Sequence, residues 1–144
     1  MATLIPHRPP ILLVERIVEV LDGGLVCEGR IPADGPFADG ERASAFLGIE
    51  LAAQSAAVLE ALRHGLGGGP PPIGYLTSIR EGRFEVPALP AGRPLLATVQ
   101  RKGGVAPLAL YSAEVKLAED ARLLVTATFS TYVAATRTPS AGGA

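Results

Sequence analysis

Residues 43–66 form the one stretch long and continuous enough to be a major helix. Its first turns are almost wholly apolar, from Ala45, Phe46 and Leu47 through Leu51, Ala52 and Ala53 to Val58. A helix with apolar residues around its whole axis must be enclosed by protein on most sides. Ser44 stands where a cap belongs, although Glu41 and Arg42 blur the boundary. Gly65 and Gly67-Gly68-Gly69 end the helix, and Pro70-Pro71-Pro72 prevents its resumption.

The rest of the chain reads as strand and turn. Residues 11–20 are a short helix or turn running into a strand, and Gly23-Gly24 turns the chain back. Residues 25–31 alternate, with Leu25, Cys27, Gly29 and Ile31 on one face. Residues 32–42 are a loop rich in Pro, Gly and Asp. Beyond the helix, residues 73–86 form a long irregular strand, followed by strands at 95–101, 109–117 and 123–133. Such an order predicts an α+β fold in which an antiparallel sheet curls around a single central helix.

At 144 residues the chain fits one domain, expected over residues 1–135, with residues 136–144 a flexible tail. The formal net charge is -1 with no basic stripe, which argues against a nucleic-acid partner. No apolar run approaches a membrane span, and the opening Met1-Ala2-Thr3-Leu4-Ile5-Pro6-His7-Arg8 is not built like a signal peptide. The expectation is a cytoplasmic protein. The lone Cys27 excludes an internal disulfide framework and reads as a small buried residue. His7, His64 and Cys27 lie far apart without ligand spacing, so no metal site is expected. Gly65 to Gly69 lead into prolines rather than a helix, which is not a phosphate loop.

Glu50 interrupts the most apolar part of the helix, in Phe46-Leu47-Gly48-Ile49-Glu50-Leu51-Ala52-Ala53-Gln54. Charged side chains are rarely buried without a partner. Gln54, one turn later, shares its face and is placed to hydrogen-bond it. Two readings are open: an acid in apolar surroundings, suited to proton transfer, or a glutamate on a narrow polar stripe facing solvent or a subunit seam. Glu60, near Arg63 and His64, reads as a solvated charge, and His64 as a partner of the helix dipole.

At these residues the chain resembles a known family. Ile5-Pro6-His7-Arg8-Pro9-Pro10-Ile11-Leu12-Leu13-Val14-Glu15-Arg16 resembles the opening of the bacterial 3-hydroxyacyl-carrier-protein dehydratases, which read LPHRxPxLLVDR. Glu50-Leu51-Ala52-Ala53-Gln54 resembles their helix motif E-x-x-A-Q. Gly74-Tyr75-Leu76, Arg83-Phe84-Glu85-Val86-Pro87 and Pro90-Ala91-Gly92 resemble their later strand and turn. The likeness covers nearly the whole chain in order. Pro36-Phe37 and Phe46 to Glu50 resemble most the branch tied to aryl-polyene pathways.

The resemblance implies a hot-dog fold and a dimer of two sheets paired edge to edge, homomeric or with another hot-dog chain. Between the subunits it implies a tunnel for an acyl chain carried on the phosphopantetheine arm of an acyl carrier protein, with no dissociable cofactor. In the family a loop histidine removes the α-proton and the helix glutamate assists departure of the β-hydroxyl. By that match Glu50 is the acid. Gln54, Phe37, Gly48, Tyr75 and Ser78 then fall on the substrate path, with backbone N–H groups near the helix start and along residues 75–79 polarising the thioester carbonyl. Arg80 and Arg83 lie where a carrier protein would dock, or on a solvated strand face.

One departure matters: Pro36 stands where the family places its loop histidine. Proline cannot act as a base. Three readings follow. His7, an imidazole of the kind that can take and give protons, substitutes for it, against the simpler view that His7 is structural in the opening turn. Alternatively Glu50 activates water, with Asp34, Asp39 or Glu41 nearby, and the protein is a thioesterase. Or the domain has lost its chemistry and serves as an acyl-binding partner of an active dehydratase.

Overall fold

The computed structural model describes residues 4–65 and 73–134. Residues 67–72 of the expected glycine-proline stop and the expected tail at residues 136–144 lie outside the described residues.

Strands β1 (Val14–Leu21) and β2 (Gly24–Gly29) form the hairpin that the Gly23-Gly24 turn implies. The chain then makes two short strands, β3 (Ala38–Asp39) and β4 (Arg42–Ser44), where the sequence reads as loop to residue 42 and as helix from residue 43. Helix α1 spans Phe46–Arg63. It begins later than the composition implies because Ala43 and Ser44 pair with a strand instead: β4 lies antiparallel to β6 (Ala88–Pro90), Ala43 opposite Leu89. Both of those side chains are buried, so the ladder outcompetes a further helical turn. Ala45 is the cap residue, and Ser44 Oγ instead accepts from the Phe46 N–H at 3.3 Å. At the other end Gly65 takes a positive φ of 81°, which a residue without Cβ adopts at no steric cost.

Four strands complete the main sheet: β5 (Ile73–Phe84), β7 (Leu95–Gly103), β8 (Leu108–Leu117) and β9 (Leu123–Ala134). The order β1-β2-β7-β8-β9-β5 is antiparallel throughout. The expected α+β arrangement is therefore present, with α1 packed against every strand of this sheet.

Alternation decides which face meets the helix. Strand β8 buries Ala109, Tyr111, Ala113, Val115 and Leu117, β7 buries Leu95, Ala97 and Val99, and β2 buries Leu25 and Cys27. Each large apolar side chain so enclosed contributes roughly 1.5–3 kcal/mol. Small residues set the spacing. A Cβ on Gly48 would stand 2.8 Å from Val125 Cγ2, and one on Gly29 would collide with the Leu13 carbonyl.

At one margin of the sheet β5 pairs with β9 alone, and bulges interrupt it between Leu76 and Ser78 and between Ile79 and Glu81. Tyr75, Leu76, Ile79 and Phe84 are all exposed along it. A long apolar edge of this kind is a template for pairing with another chain.

Candidate functional site

The opening segment reaches the helix through one side chain. Gln54 is fully buried. Its Oε1 accepts from the N–H of Leu13 at 2.8 Å and of Val14 at 3.3 Å. Its Nε2 donates to the Ile11 carbonyl at 2.7 Å and to Glu50 Oε1 at 2.9 Å. The amide fastens residues 11–14 to α1 and at the same time orients the carboxylate one turn away. Buried Ile5 anchors the segment further out, and the Arg8 guanidinium donates to the Ile5 and His7 carbonyls.

This bracing brings His7 to Glu50. His7 Nε2 lies 3.7 Å from Glu50 Oε1, with the side chains 26% and 31% exposed. His7 Nδ1 is buried without a hydrogen-bond partner. The separation is longer than a formed hydrogen bond, as catalytic pairs often are before substrate tightens them. Both side chains line one cleft, partly open to solvent. Ala53, Ala56 and Ala57 of α1 form its floor, and Gly74 and Leu76 of β5 line it beside the exposed edge. The structure places the Glu50 carboxylate, partly exposed, in a cleft opposite the His7 imidazole.

The same cleft holds a group that the sequence misrepresents. Glu60 is 7% exposed rather than solvated. Its carboxylate accepts from the Tyr111 hydroxyl and, at 3.2 Å, from Arg101 Nε. Arg63 Nη1 lies 3.5 Å from Oε1, and His64 Nε2 3.4 Å from Oε2. Burial, and then the neighbouring Glu60 carboxylate, push the Tyr111 hydroxyl well above the usual phenol range. Tyr111 lies on the inward phase of β8, and a buried phenol needs a partner. That requirement is the signal by which Glu60 could have been found.

The other sequence candidates spread out. Gln54 is a positioning residue with its amide fully occupied by protein groups. Gly48 is packed under Val125, and its N–H donates to the Ala45 carbonyl at 3.0 Å, so it has no free amide for a thioester oxygen. Phe37 and Pro36 line a separate shallow depression with Asp39 and Arg42. Tyr75 and Ser78 are exposed on β5, outside the group lining the Glu50 cleft. Arg80 is exposed, and Arg83, also on β5, is 3.9 Å from Glu85 just past the end of the strand. Among the described residues no His, Cys, Asp and Glu cluster has metal-binding geometry, and no helix is long and apolar enough to cross a membrane.

Comparison with solved structures gives the class first: the architecture is the hot-dog fold. The chain superposes on the dehydratase heterocomplex ApeI:P of Xenorhabdus doucetiae with a TM-score of 0.81 at 23% identity, covering 94% of this chain and 91% of that one. It is similar also to a mutant of PaaI, a phenylacetic acid degradation protein of Thermus thermophilus, with a TM-score of 0.58 at 21% identity over 81% of this chain and 90% of that one. A hypothetical thioesterase from Streptococcus pneumoniae, solved with coenzyme A, gives 0.60 at 15% identity over 85% and 88%. The family follows from the sequence profile of the ApeP-like family, described as ApeP dehydratase, which matches residues 1–140; the chain belongs to that family. Curated protein sequences give no significant match.

Proposed function

We propose that the chain dehydrates a 3-hydroxyacyl thioester, presented on the phosphopantetheine arm of an acyl carrier protein, to the 2-enoyl thioester. The observation that carries this reading is the His7–Glu50 pair, a base and an acid facing each other in one cleft of a dehydratase-family chain. His7 Nε2 takes a proton from the carbon next to the thioester carbonyl. The electron pair of that C–H bond becomes the new carbon–carbon double bond. The C–O bond at the β-carbon breaks, and protonated Glu50 gives its proton to the departing oxygen, which leaves as water. Transfer of the proton from His7 to Glu50 restores both groups. Positioned acid–base groups of this kind contribute about 10²–10⁴-fold each. Gln54 holds the carboxylate in place throughout.

A second reading rests on Pro36, which leaves the loop without an ionisable group, and on the likeness to a dehydratase heterocomplex. In it the chain is an acyl-binding partner of another hot-dog subunit, docked along β5. A thioesterase similar in fold keeps a third outcome in view. One assay separates them. Incubated with a 3-hydroxyacyl-pantetheine thioester, the chain forms enoyl product without releasing thiol, and Glu50→Gln abolishes it. Thiol release without enoyl product identifies a thioesterase. Neither product, with tight binding to a second hot-dog protein, identifies the partner subunit.

A further inference from the structure

The cleft does not end at His7 and Glu50. It follows α1 to Glu60, about 15 Å along the axis at ~1.5 Å per residue, over the alanine floor. Its far end is polar and enclosed. Tyr111 is 0% exposed, Glu60 7% and Thr131 8%. Glu60 Oε1 already accepts from the Tyr111 hydroxyl and Arg101. Thr131 faces the same phenol, yet its Oγ1 is buried with no hydrogen-bond partner of acceptable geometry.

A buried hydroxyl left unpaired costs stability, and on the wall of a binding cleft a ligand can supply the missing bond. Charge narrows what that ligand is. The Glu60 carboxylate and its cationic neighbours Arg101 and Arg63 offset one another, a mixed surrounding that suits a neutral polar end group better than a charged one. A neutral hydroxyl can accept from Thr131 and donate to Glu60. Resting on the acyl-thioester reading above, we propose that this end of the cleft is a subsite for a hydroxyl at the far end of the acyl chain, with Thr131 and Glu60 as its specificity-determining residues. The distance along the helix corresponds to a chain of roughly a dozen carbons.

The test is calorimetric binding of dodecanoyl- and tetradecanoyl-pantetheine and of their ω-hydroxy counterparts, which lack the 3-hydroxyl and cannot be dehydrated. At one of these lengths the ω-hydroxy ligand binds the wild-type chain about tenfold more tightly than the methyl-ended one, the scale of a buried hydrogen bond. Thr131→Val, isosteric and well suited to a strand, brings the pair level. Equal binding of both ligands to the wild type, binding of neither, or a preference that survives Thr131→Val overturns the subsite. The reaction is tested apart from it, with 3-hydroxybutyryl-pantetheine, too short to reach Thr131. Absence of turnover there sinks the dehydration reading while leaving a measured ω-hydroxyl preference standing.

Discussion

Glu50 and Glu60 lie on the same helix within one cleft, and their surroundings give them different work. Glu50 is half-open, braced by Gln54 and opposed by His7, with an oxygen free to reach a ligand. Glu60 is enclosed and engaged by Tyr111 and Arg101. Cys27 shows the opposite use of burial. It is 0% exposed on the inward face of β2, and burial pushes its thiol from 9.0 up to about 11. The unfolded chain gives up this proton near 9.0, whereas the folded chain keeps it to about 11. Between those values the unfolded state binds fewer protons, so stability is complete below pH 9.0 and falls as pH rises toward 11, by up to about 3 kcal/mol. Urea unfolding across that range should show a steeper fall for the wild type than for Cys27→Ala. Parallel curves would show that the thiol titrates alike in both states.

At the scale of elements, the joint that matters is between the opening segment and α1. Replacing Gln54 by Leu leaves the Leu13 N–H and the Ile11 carbonyl without their side-chain partner and releases Glu50. The expected loss is about 1–3 kcal/mol in urea unfolding, together with lowered enoyl formation; unchanged stability would contradict the bracing role. Much of this level was legible in the sequence. The alternation of Ala109, Tyr111, Ala113, Val115 and Leu117 gave β8 its inward face, and the apolar girdle of α1 gave its enclosure. The spacing of Glu50 and Gln54 gave their hydrogen bond. What escaped depends on distant partners. The pairing of Ala43 with Leu89 shortens the helix, and Tyr111 with Arg101 draws Glu60 inward; neither follows from residues near in sequence. His7 beside Glu50 was one of the three readings the sequence left open, and Gln54 supports that approach across some forty positions.

At the scale of the molecule, β5 exposes Tyr75, Leu76, Ile79 and Phe84 beside the cleft, and Leu76 also lines it. An edge so apolar is unfavourable in water and is a template for pairing with another chain. If a second copy pairs there, Leu76→Lys combined with Ile79→Lys should lower the mass seen by sedimentation and weaken acyl-thioester binding. An unchanged mass would place the subunit contact elsewhere.

The proposed dehydration requires His7 and Glu50 to act together. Rates of enoyl formation should be measured for the wild type, His7→Asn, Glu50→Gln and the double variant, each confirmed folded. Groups that act as one unit are not additive. Each single change should therefore lower the rate by about 10²–10⁴-fold, and the double variant should be little slower than the worse single one. Near-wild-type turnover by His7→Asn would contradict the account, because the base would then lie elsewhere.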